Sequence, residues 1–562
     1  MYCQKNDHFY LAILILVFFV ACQSGHSQSE KETAAAPGSK DETVQQNIEA
    51  LLSKAKTNNG KTDDGITLEF LPVLDVCYGQ NEYRPRWSSQ LQWEKAADEM
   101  LAYLDTSLYQ GLFKEDYHYK EIKALHQTLA NDSLHHSNSV SWAKADLLFT
   151  DAFAHLLQDL RFGRLPADSL VQQTDLGDTS NGLPAFINRV GKQESVNRLL
   201  AEVQPAHPGY KALQKQLHHF VDSMDTKTYT YLQYPYRDSL AFLKKLQLRF
   251  TEGGVMKNGS TLKDSAELAN TIKKYQQLKG LKPDGKLSAS VVKMLNTTDK
   301  ERLKRIAITL DRYKQLPAKM PAQYIWVNLP AYQLKVWDND SVFMESRIIC
   351  GKPATPTPLL TSAISDMMIY PTWTVPVSII SKEMLPGLKR SSGYLARKGL
   401  NLLNDKGQKI DPSSVNWAKY TKGIPFKIQQ ESGDGNALGV IKFNFENPYA
   451  VYLHDTNQRY LFKNAVRSLS HGCVRVQDWQ KLAIYILKSD SLQALPSDSA
   501  DYNTNILATL LAAKERQRID VKHKIPLFIR YFGCEVLNGS IKFYDDIYGE
   551  DRKMRERYFA GK

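Results

Sequence analysis

The sequence lacks the residue patterns that mark several classes of function. It has six cysteines in 562 residues, and none of them has the spacing of a metal-ligand set. It contains no phosphate-binding glycine loop and no aromatic RNA-binding strand. Its 72 Lys and Arg exceed its 60 Asp and Glu without forming a dense basic tract. We therefore predict a globular protein that uses no metal or cofactor and binds no nucleic acid.

The sequence also lacks a long apolar run. Its one N-terminal run, Phe9 to Ala21, is shorter than the ~20 residues of a spanning helix and has the length of a signal-peptide core. The run ends at Cys22, and residues 1–22 resemble a bacterial lipoprotein signal. The resemblance implies that Cys22 is lipidated, so we expect export to the cell envelope, in the periplasm, with an N-terminal membrane anchor. Ordinary secretion is the alternative.

Residues 23–64 are rich in Ser, Glu, Lys, Ala, Asn and Gly. This composition buries little apolar surface, so we predict a flexible linker between anchor and folded body. Within it, four apolar residues have the spacing of one short helix: Val44, Ile48, Leu51 and Leu52.

Three cysteines lie in apolar or aromatic segments: Cys77, Cys350 and Cys534. A small apolar side chain of this kind is most often a buried structural thiol. Disulfides are the alternative in an exported protein.

Two regions of helical pattern follow. Residues 65–235 are predicted to be a helical domain, in which Trp142 to Leu160 has the three-to-four spacing of a core-facing helix. Residues 236–300 form a smaller unit, in which Tyr275-Gln276, Gly280-Leu281 and Asp284-Gly285 surround a helix end and a tight turn. This unit resembles the peptidoglycan-binding type 1 module, a three-helix fold whose signature residues here are Tyr275, Gln276 and Asp284.

Residues 301–562 are predicted to be rich in strands. The β-prone segments are Tyr324 to Leu329, Gln333 to Trp337, Ser346 to Cys350, Tyr449 to His454, Pro526 to Phe532 and Ile541 to Phe543. A helix is predicted after residue 477. The pattern indicates a β-dominated domain with a few helices, so the whole chain is a multidomain α+β protein.

A cysteine and two histidines stand close together in this last region. His454 ends a predicted strand, and 15 residues separate it from the segment Ser470-His471-Gly472-Cys473. A thiol with a pKa of ~8.5 needs a base or a cation to become a nucleophile at neutral pH, and either histidine offers one. Backbone N–H groups around Gly472 and Cys473 are candidate oxyanion donors. A buried thiol beside a structural histidine is the alternative.

The histidine and the Ser-His-Gly-Cys segment together resemble the signature of the YkuD-type L,D-transpeptidase catalytic domain. The likeness extends to Val474-Arg475-Val476, to Pro371 to Pro376, and to Asn436 to Gly439 with Lys442-Phe443. Asn81 to Trp87 and Asp545 to Asp551 are similar to the scaffold domain and the ending of the large YcbB-like branch. We therefore identify residues 65–562 as resembling that branch.

The resemblance assigns a role to each matching residue. Cys473 is the nucleophile and His454 its general base, while Ser470, His471 and Gly472 shape the loop and, with Cys473, offer oxyanion donors. Arg475 is expected to bind a substrate carboxylate, with an internal salt bridge as its alternative. Asp455 provides the backbone carbonyl that orients the base, and a substrate-binding role for its side chain is a further hypothesis.

The resemblance also implies a function: 3→3 cross-linking of peptidoglycan through a cysteine acyl-enzyme, with release of D-alanine from a tetrapeptide stem. The insertion at about 381–428 is expected to cap the substrate cleft, and carbapenems are expected to acylate Cys473. Stem peptides are the expected partners, and wall-synthesis proteins are further candidates. The alternatives are an L,D-carboxypeptidase or peptidase that uses water as the acceptor, and a non-catalytic peptidoglycan-binding lipoprotein.

Overall fold

The computed structural model describes residues 39–166, 179–191, 194–262, 264–492 and 505–562. The N-terminal part of this chain is helical. Its helices are Lys40–Thr57, Leu71–Gly79, Lys95–Asp105, Tyr119–Asn131, Ser133–His136, Ser139–Phe162, Thr179–Ile187, Val196–Glu202 and Pro208–Ser223. A short hairpin pairs Ser88–Ser89 with Gln92–Trp93.

The Ser139–Phe162 helix is the centre of this helical region, as its apolar spacing predicts. It is buried on nearly all sides, and its carboxylates therefore need partners inside the protein. Asp146 accepts hydrogen bonds from the backbone N–H groups of Arg86 and Trp87 and from the Tyr78 hydroxyl. Burial raises the pKa of Asp146 to about 6. The helix thus holds the loop before the hairpin through hydrogen bonds as well as apolar packing.

The prediction of a flexible linker to residue 64 is wrong for its second half. Lys40–Thr57 is a helix that begins with a capping box between Ser39 and Glu42. Val44, Ile48, Leu52 and Ala55 are buried in the same core as the Ser139–Phe162 helix. The short helix predicted from the spacing of Val44, Ile48, Leu51 and Leu52 is thus confirmed, and its one apolar stripe is enough to dock it despite the polar composition. Residues 1–38, with the predicted signal and Cys22, lie outside the described residues.

A separate three-helix unit follows, consisting of Ser239–Glu252, Ser265–Leu278 and Ala289–Asn296. It has an apolar core of its own, which contains Phe242, Leu246, Ile272 and Val292. The helix Asp299–Lys314 then leads into the β-rich region. Its buried residues share one cluster with residues of the Pro208–Ser223 helix and of the C-terminal segment, and this shared core joins the helical and β-rich parts.

The β-rich region is built on one large sheet. Its strands are Gln323–Asn328, Gln333–Asp338, Ser341–Gly351, Leu360–Ile369, Ile441–Phe445, Leu453–His454, Ser468–Ser470, Val474–Val476, Gln517–Asp520 and Pro526–Arg530. The sheet closes on itself because Ile441–Phe445 pairs with both Leu453–His454 and Leu360–Ile369. A hairpin of Cys534–Leu537 and Ser540–Phe543 and the helices Trp479–Leu492, Asn505–Ala513 and Glu550–Tyr558 complete the region.

Most predicted strands are confirmed within one or two residues. There are two exceptions. The strand predicted from Ser346 to Cys350 begins earlier, at Ser341. Of the strand predicted from Tyr449 to His454, only Leu453–His454 is observed. Ala450 has a φ of 53°, in the left-handed region, which breaks the extended backbone. The segment therefore turns sharply just before the short strand that contains His454.

The insertion near 381–428 forms a subdomain of its own, which we call the cap. Its sheet contains Trp373–Thr374, Lys427–Gln430, Leu400–Leu403 and Lys409–Ile410. Helical turns at Val377–Ile379, Ile380–Met384 and Leu385–Arg390 cover this sheet, and the two layers enclose a separate apolar core. Across the described ranges of the chain, no helix has the length and apolarity to cross a membrane.

Candidate active site

Three neighbouring strands place Lys442, His454 and Arg475 side by side. His454 is opposite Lys442 in the antiparallel pairing and opposite Arg475 in the parallel pairing. The adjacent residues in the same register are Phe443, Leu453 and Val474, all of which are buried in the apolar core. Because side chains alternate along a strand, Lys442, His454 and Arg475 project from the opposite face of the sheet.

Cys473 and Tyr452 lie on that same face, since each is two residues from a member of the row. The Val474 N–H donates to the Tyr452 carbonyl at 3.1 Å, which fixes the two segments against each other. The rings of Tyr452 and His454 lie 5.5 Å apart, and the Lys442 Nζ lies 4.2 Å from the centre of the Tyr452 ring. The predicted nucleophile and base are thus brought into one cluster.

His454 is held as a neutral imidazole. Burial, with the nearby Arg475 guanidinium adding to it, lowers the pKa of His454 to about 3, against the opposing effect of backbone groups of Asp455 and Leu438. Its Nδ1 is buried and has no hydrogen-bond partner among the described residues. A neutral imidazole with a free lone pair accepts a proton, so this side chain has the form that a general base requires.

Cys473 is the one partly exposed thiol among the described residues, and Cys77, Cys350 and Cys534 are buried and free of disulfides, as predicted. Burial raises the pKa of Cys473, whereas the backbone and hydroxyl of Tyr452 and the charges of Lys442 and Arg475 oppose that rise. The resting site therefore contains a neutral thiol, surrounded by groups that stabilise the thiolate once it forms.

Ser470 fixes the loop that precedes the thiol. Its Oγ accepts from the Gly472 N–H at 3.1 Å and donates to the Cys473 carbonyl at 2.6 Å. Gly472 has a φ of 126°, which side-chain-bearing residues rarely adopt, and this explains the glycine. The loop-shaping roles of Ser470 and Gly472 remain predictions, and so does the oxyanion role of Gly472, whose N–H donates to Ser470 in this structure.

His471 points to the cap rather than to the thiol cluster. Its Nε2 lies 2.6 Å from a carboxylate oxygen of Glu383, and Lys352 lies 3.3 Å from the same oxygen. Hydrogen bonds from His471 and Lys352 outweigh burial and lower the pKa of Glu383. The three side chains connect the nucleophile loop to the cap. The loop-shaping role of His471 stays a prediction, and nothing in the sequence marked Glu383 as its partner.

The hypothesis that the Asp455 side chain binds substrate is wrong. Asp455 is fully buried, accepts from the Val440 N–H at 3.1 Å and forms an ion pair with Arg459 at 2.6 Å. A Cβ on Gly439 would lie 2.2 Å from its carboxylate, so the turn needs glycine there. The Asp455 side chain thus binds the turn at Gly439 and Val440, and this contact fixes the backbone next to His454.

Arg475 forms no ion pair with a carboxylate in the described part of the chain. One of its terminal nitrogens donates to Gln458 at 3.1 Å, and its Nε is buried without a partner among the described residues. The internal salt bridge considered as the alternative is therefore not found, and the guanidinium remains available to an anion.

The cluster includes two residues that the sequence analysis did not assign, Tyr452 and Lys442. The signal for Tyr452 was its position two residues before His454, since residues i and i+2 share a face of a strand. Lys442 could not be found this way because its place beside His454 depends on strand pairing. Among the described residues, no group of His, Cys, Asp and Glu is arranged to bind a metal ion.

The signature residues of the three-helix unit act within that unit. Tyr275 is buried against Phe250, with ring centres 6.0 Å apart. Gln276 donates to Asp284 at 2.7 Å and accepts from the Gly285 N–H at 2.9 Å. The motif therefore stabilises the turn between two helices, and a ligand-binding role for these residues stays a prediction.

Two family comparisons agree with this architecture. Residues 322–493 match the family described as the L,D-transpeptidase catalytic domain, YkuD, and residues 73–217 match the Scaffold domain. The chain thus matches a scaffold domain followed by a YkuD L,D-transpeptidase catalytic domain, an order that is similar to the YcbB-like architecture.

The chain is also similar to individual proteins. It is 34% identical over 230 residues to a Haemophilus influenzae protein named "Putative L,D-transpeptidase", a match that spans 41% of this chain and 45% of that protein. The Ldtfm–avibactam carbamoyl enzyme shares 14% identity over 42% of this chain and 63% of its own, at a TM-score of 0.17. Mycobacterium tuberculosis L,D-transpeptidase 1 shares 13% sequence identity with this chain. That match covers 37% of this chain and 61% of the other, at a TM-score of 0.15.

Proposed function

We propose that this protein is a peptidoglycan L,D-transpeptidase that forms 3→3 cross-links through an acyl-enzyme on Cys473. The observation that supports this most is the row of Lys442, His454 and Arg475 beside a partly exposed thiol. The row supplies a neutral base, a cationic surrounding for a thiolate and an unpaired guanidinium in one cluster. A structural thiol would need none of these.

In the first half of the reaction, His454 removes the proton from Cys473 as Sγ attacks the carbonyl carbon of residue three in a tetrapeptide stem. The Sγ–C bond forms, and the electron pair of the C=O bond moves to oxygen. When the carbonyl re-forms, the C–N bond to the terminal D-alanine breaks. The leaving nitrogen takes the proton from His454, and D-alanine departs, which leaves a thioester.

Burial gives His454 both of its roles, and the charges of Arg475 and Lys442 add to the effect of burial. Together they keep the imidazole neutral before attack, and they make the imidazolium a strong acid, since its pKa is about 3. A strong acid returns its proton quickly to the leaving amine. We assign the Arg475 guanidinium to a carboxylate of the stem peptide. Such a pair would offset the charge beside His454 and raise the pKa of that base when substrate is bound.

In the second half, the side-chain amine of a diamino acid in another stem attacks the thioester. A C–N bond forms, the C–S bond breaks, and the amine proton passes to His454 and then to Sγ. Water in place of the amine would give hydrolysis and a tripeptide product.

The cap is suited to an anionic substrate. Residues 381–428 contain ten Lys or Arg and three Asp or Glu, a net charge of +7 within a chain whose total is +12. All ten cations are exposed, and in this fully described segment only Lys409 pairs with a carboxylate, that of Glu431. Such a field attracts polyanions. We propose that the cap binds the carboxylate-rich stem peptides, and that the three-helix unit is a peptidoglycan-binding module.

We also propose that the protein is exported to the cell envelope and anchored through Cys22. A Cys22→Ala variant should then move from the membrane fraction to the soluble periplasmic fraction. Retention of the variant in membranes after a salt wash would argue against a lipid anchor. Wall-synthesis proteins at the same membrane are candidate partners, and co-purification from crosslinked cells tests them.

The proposed reaction is tested by incubating the purified protein with tetrapeptide muropeptides and identifying the products by mass spectrometry. Dimers linked through two diamino acids support transpeptidation. Tripeptide without dimers supports a carboxypeptidase, and unchanged substrate supports a non-catalytic binding protein. Cys473→Ala is the matched control, and it should leave all substrate unchanged.

A further inference from the structure

A buried threonine holds the peptide bond between Gly472 and Cys473. The Thr357 hydroxyl donates to the Gly472 carbonyl at 2.8 Å. The same oxygen accepts from the Gly351 N–H at 2.9 Å. Thr357 is only 3% exposed, so water does not compete for these bonds. The Thr357 hydroxyl therefore fixes the plane of the peptide that leads directly into the nucleophile.

This contact also sets the direction of the Cys473 N–H. In a trans peptide the C=O and the N–H point in opposite directions. Because the Gly472 carbonyl is directed to Thr357, the Cys473 N–H is directed away from it. We find no hydrogen-bond acceptor for this N–H among the described residues, whereas the Gly472 N–H is engaged by Ser470. The Cys473 N–H is thus the donor that the loop leaves available.

Thr357 is itself rigidly held. Pro356 and Pro358 restrict the backbone on both sides of it. The turn packs so closely on Gly351 that a Cβ there would lie 2.2 Å from the Thr355 carbonyl oxygen. The Tyr548 hydroxyl donates to the Gly351 carbonyl at 2.6 Å and accepts from the Thr357 N–H at 3.2 Å. The C-terminal segment therefore supports this turn through Tyr548.

We propose that Thr357 is a positioning residue for the oxyanion donor: it orients the Gly472–Cys473 peptide so that the Cys473 N–H stabilises the negative oxygen formed when Sγ attacks a carbonyl. This inference rests on the proposed acyl transfer. During attack, the Sγ–C bond forms and the carbonyl electron pair moves to oxygen, where a fixed N–H lowers the energy of the charge. Thr357 does not touch substrate and acts only through this peptide.

The test compares two reactions of the same thiol in the full-length protein. Acylation by a carbapenem opens its ring through an oxyanion, whereas alkylation by iodoacetamide displaces iodide and forms no oxyanion. Thr357→Val keeps the shape of the side chain but removes the donor. We expect its acylation rate to fall about 10-fold to 100-fold, somewhat less than the loss of a whole oxyanion donor. Its alkylation rate should stay within about twofold of the parent, since that reaction does not use the donor.

Two variants serve as controls. Thr357→Ser keeps the hydroxyl and should restore most of the acylation rate. Thr355→Val removes a hydroxyl that donates to the Ser470 carbonyl at 3.3 Å, but that carbonyl retains the Lys352 N–H at 2.9 Å. It should acylate at nearly the parental rate. If Thr357→Val does not fold, Tyr548→Phe replaces it, with an expected loss of roughly threefold to tenfold in acylation.

The outcomes separate this inference from the proposed function. A selective loss of acylation, restored by Thr357→Ser, supports the positioning role. Equal losses in acylation and alkylation, or no loss in either, would overturn it while the parent protein continues to acylate. If the parent is alkylated by iodoacetamide but never acylated by a carbapenem or a stem peptide, the proposed function itself fails, and the positioning role fails with it.

Discussion

The resting state of the cysteine–histidine pair leads to a prediction about Cys473 reactivity. Burial raises the pKa of Cys473 above its ordinary value, and the pKa of His454 is lowered to about 3. Both shifts oppose the transfer of the proton from the thiol to the imidazole, before the attraction between the two charges is counted. The resting pair is therefore neutral, unlike a preformed thiolate–imidazolium pair.

This neutrality is measured by the pH dependence of iodoacetamide alkylation, read at Cys473 by peptide mass mapping. Only the thiolate reacts, so the rate should rise about tenfold per pH unit from pH ~5 to pH ~8, with no acid plateau. His454→Gln should change this rate by less than about threefold, because the imidazole does not ionise the thiol at rest. The same variant should lose about 10²-fold to 10⁴-fold in acyl transfer, where the base acts.

Two results would refute this reasoning. A rate that is constant between pH ~5 and pH ~7 would show a preformed ion pair. A His454→Gln variant whose alkylation falls as far as its acyl transfer would show that the histidine ionises the resting thiol. The Cys473→Ala variant is the control for labelling at other cysteines.

Three further predictions follow from the same structure. Arg475→Gln should raise the KM for a tetrapeptide donor about 10-fold or more, because a charged hydrogen bond is lost. Arg475→Lys should restore only part of the affinity for the donor. Equal KM values in the parent and both variants would show that Arg475 does not bind substrate. Replacing exposed lysines of the cap by glutamine should weaken binding to purified cell-wall sacculi. The affinity of such a variant should also depend less on salt concentration between ~0.05 M and ~0.3 M. Unchanged binding at low salt would show that the cap does not bind the wall. Ile48→Ala should lower the free energy of unfolding of the helical region by about 2–4 kcal/mol, since Ile48 is fully buried. The control Glu49→Ala changes an exposed residue and should have little effect. Equal midpoints of urea unfolding for the two variants would contradict the docking of the first helix.

The sequence allowed the main elements and the reacting pair to be predicted, because these depend on local patterns. The two strands before residue 340 followed from their β-prone residues and, in the second strand, from alternation of apolar and polar residues. The three-to-four spacing in Trp142 to Leu160 was enough to place the longest helix. Cys473 and His454 were found because their motif is local and specific. Each of these inferences used residues that lie near each other in the chain.

The remaining features depend on long-range contacts that spacing does not encode. Glu383 meets His471 across 88 residues, and Thr357 meets Gly472 across 115. Asp455 was misassigned because a carboxylate beside a base resembles a functional group, whereas its partners Arg459 and Val440 become visible only in the fold. The spacing of apolar residues indicated the first helix, but the polar composition of its segment indicated a flexible linker, because composition does not show that one apolar stripe docks on a distant core.

The central claim is that Cys473 forms a thioester with a stem peptide. Its most direct test is to mix the protein with a donor tetrapeptide stem in the absence of an acceptor amine, quench in acid, and map the modified peptide by mass spectrometry. The account predicts an adduct on Cys473 with the mass of the donor minus D-alanine, and none in Cys473→Ala. An adduct on another residue, or release of D-alanine without any adduct on Cys473 at the earliest times, would contradict it.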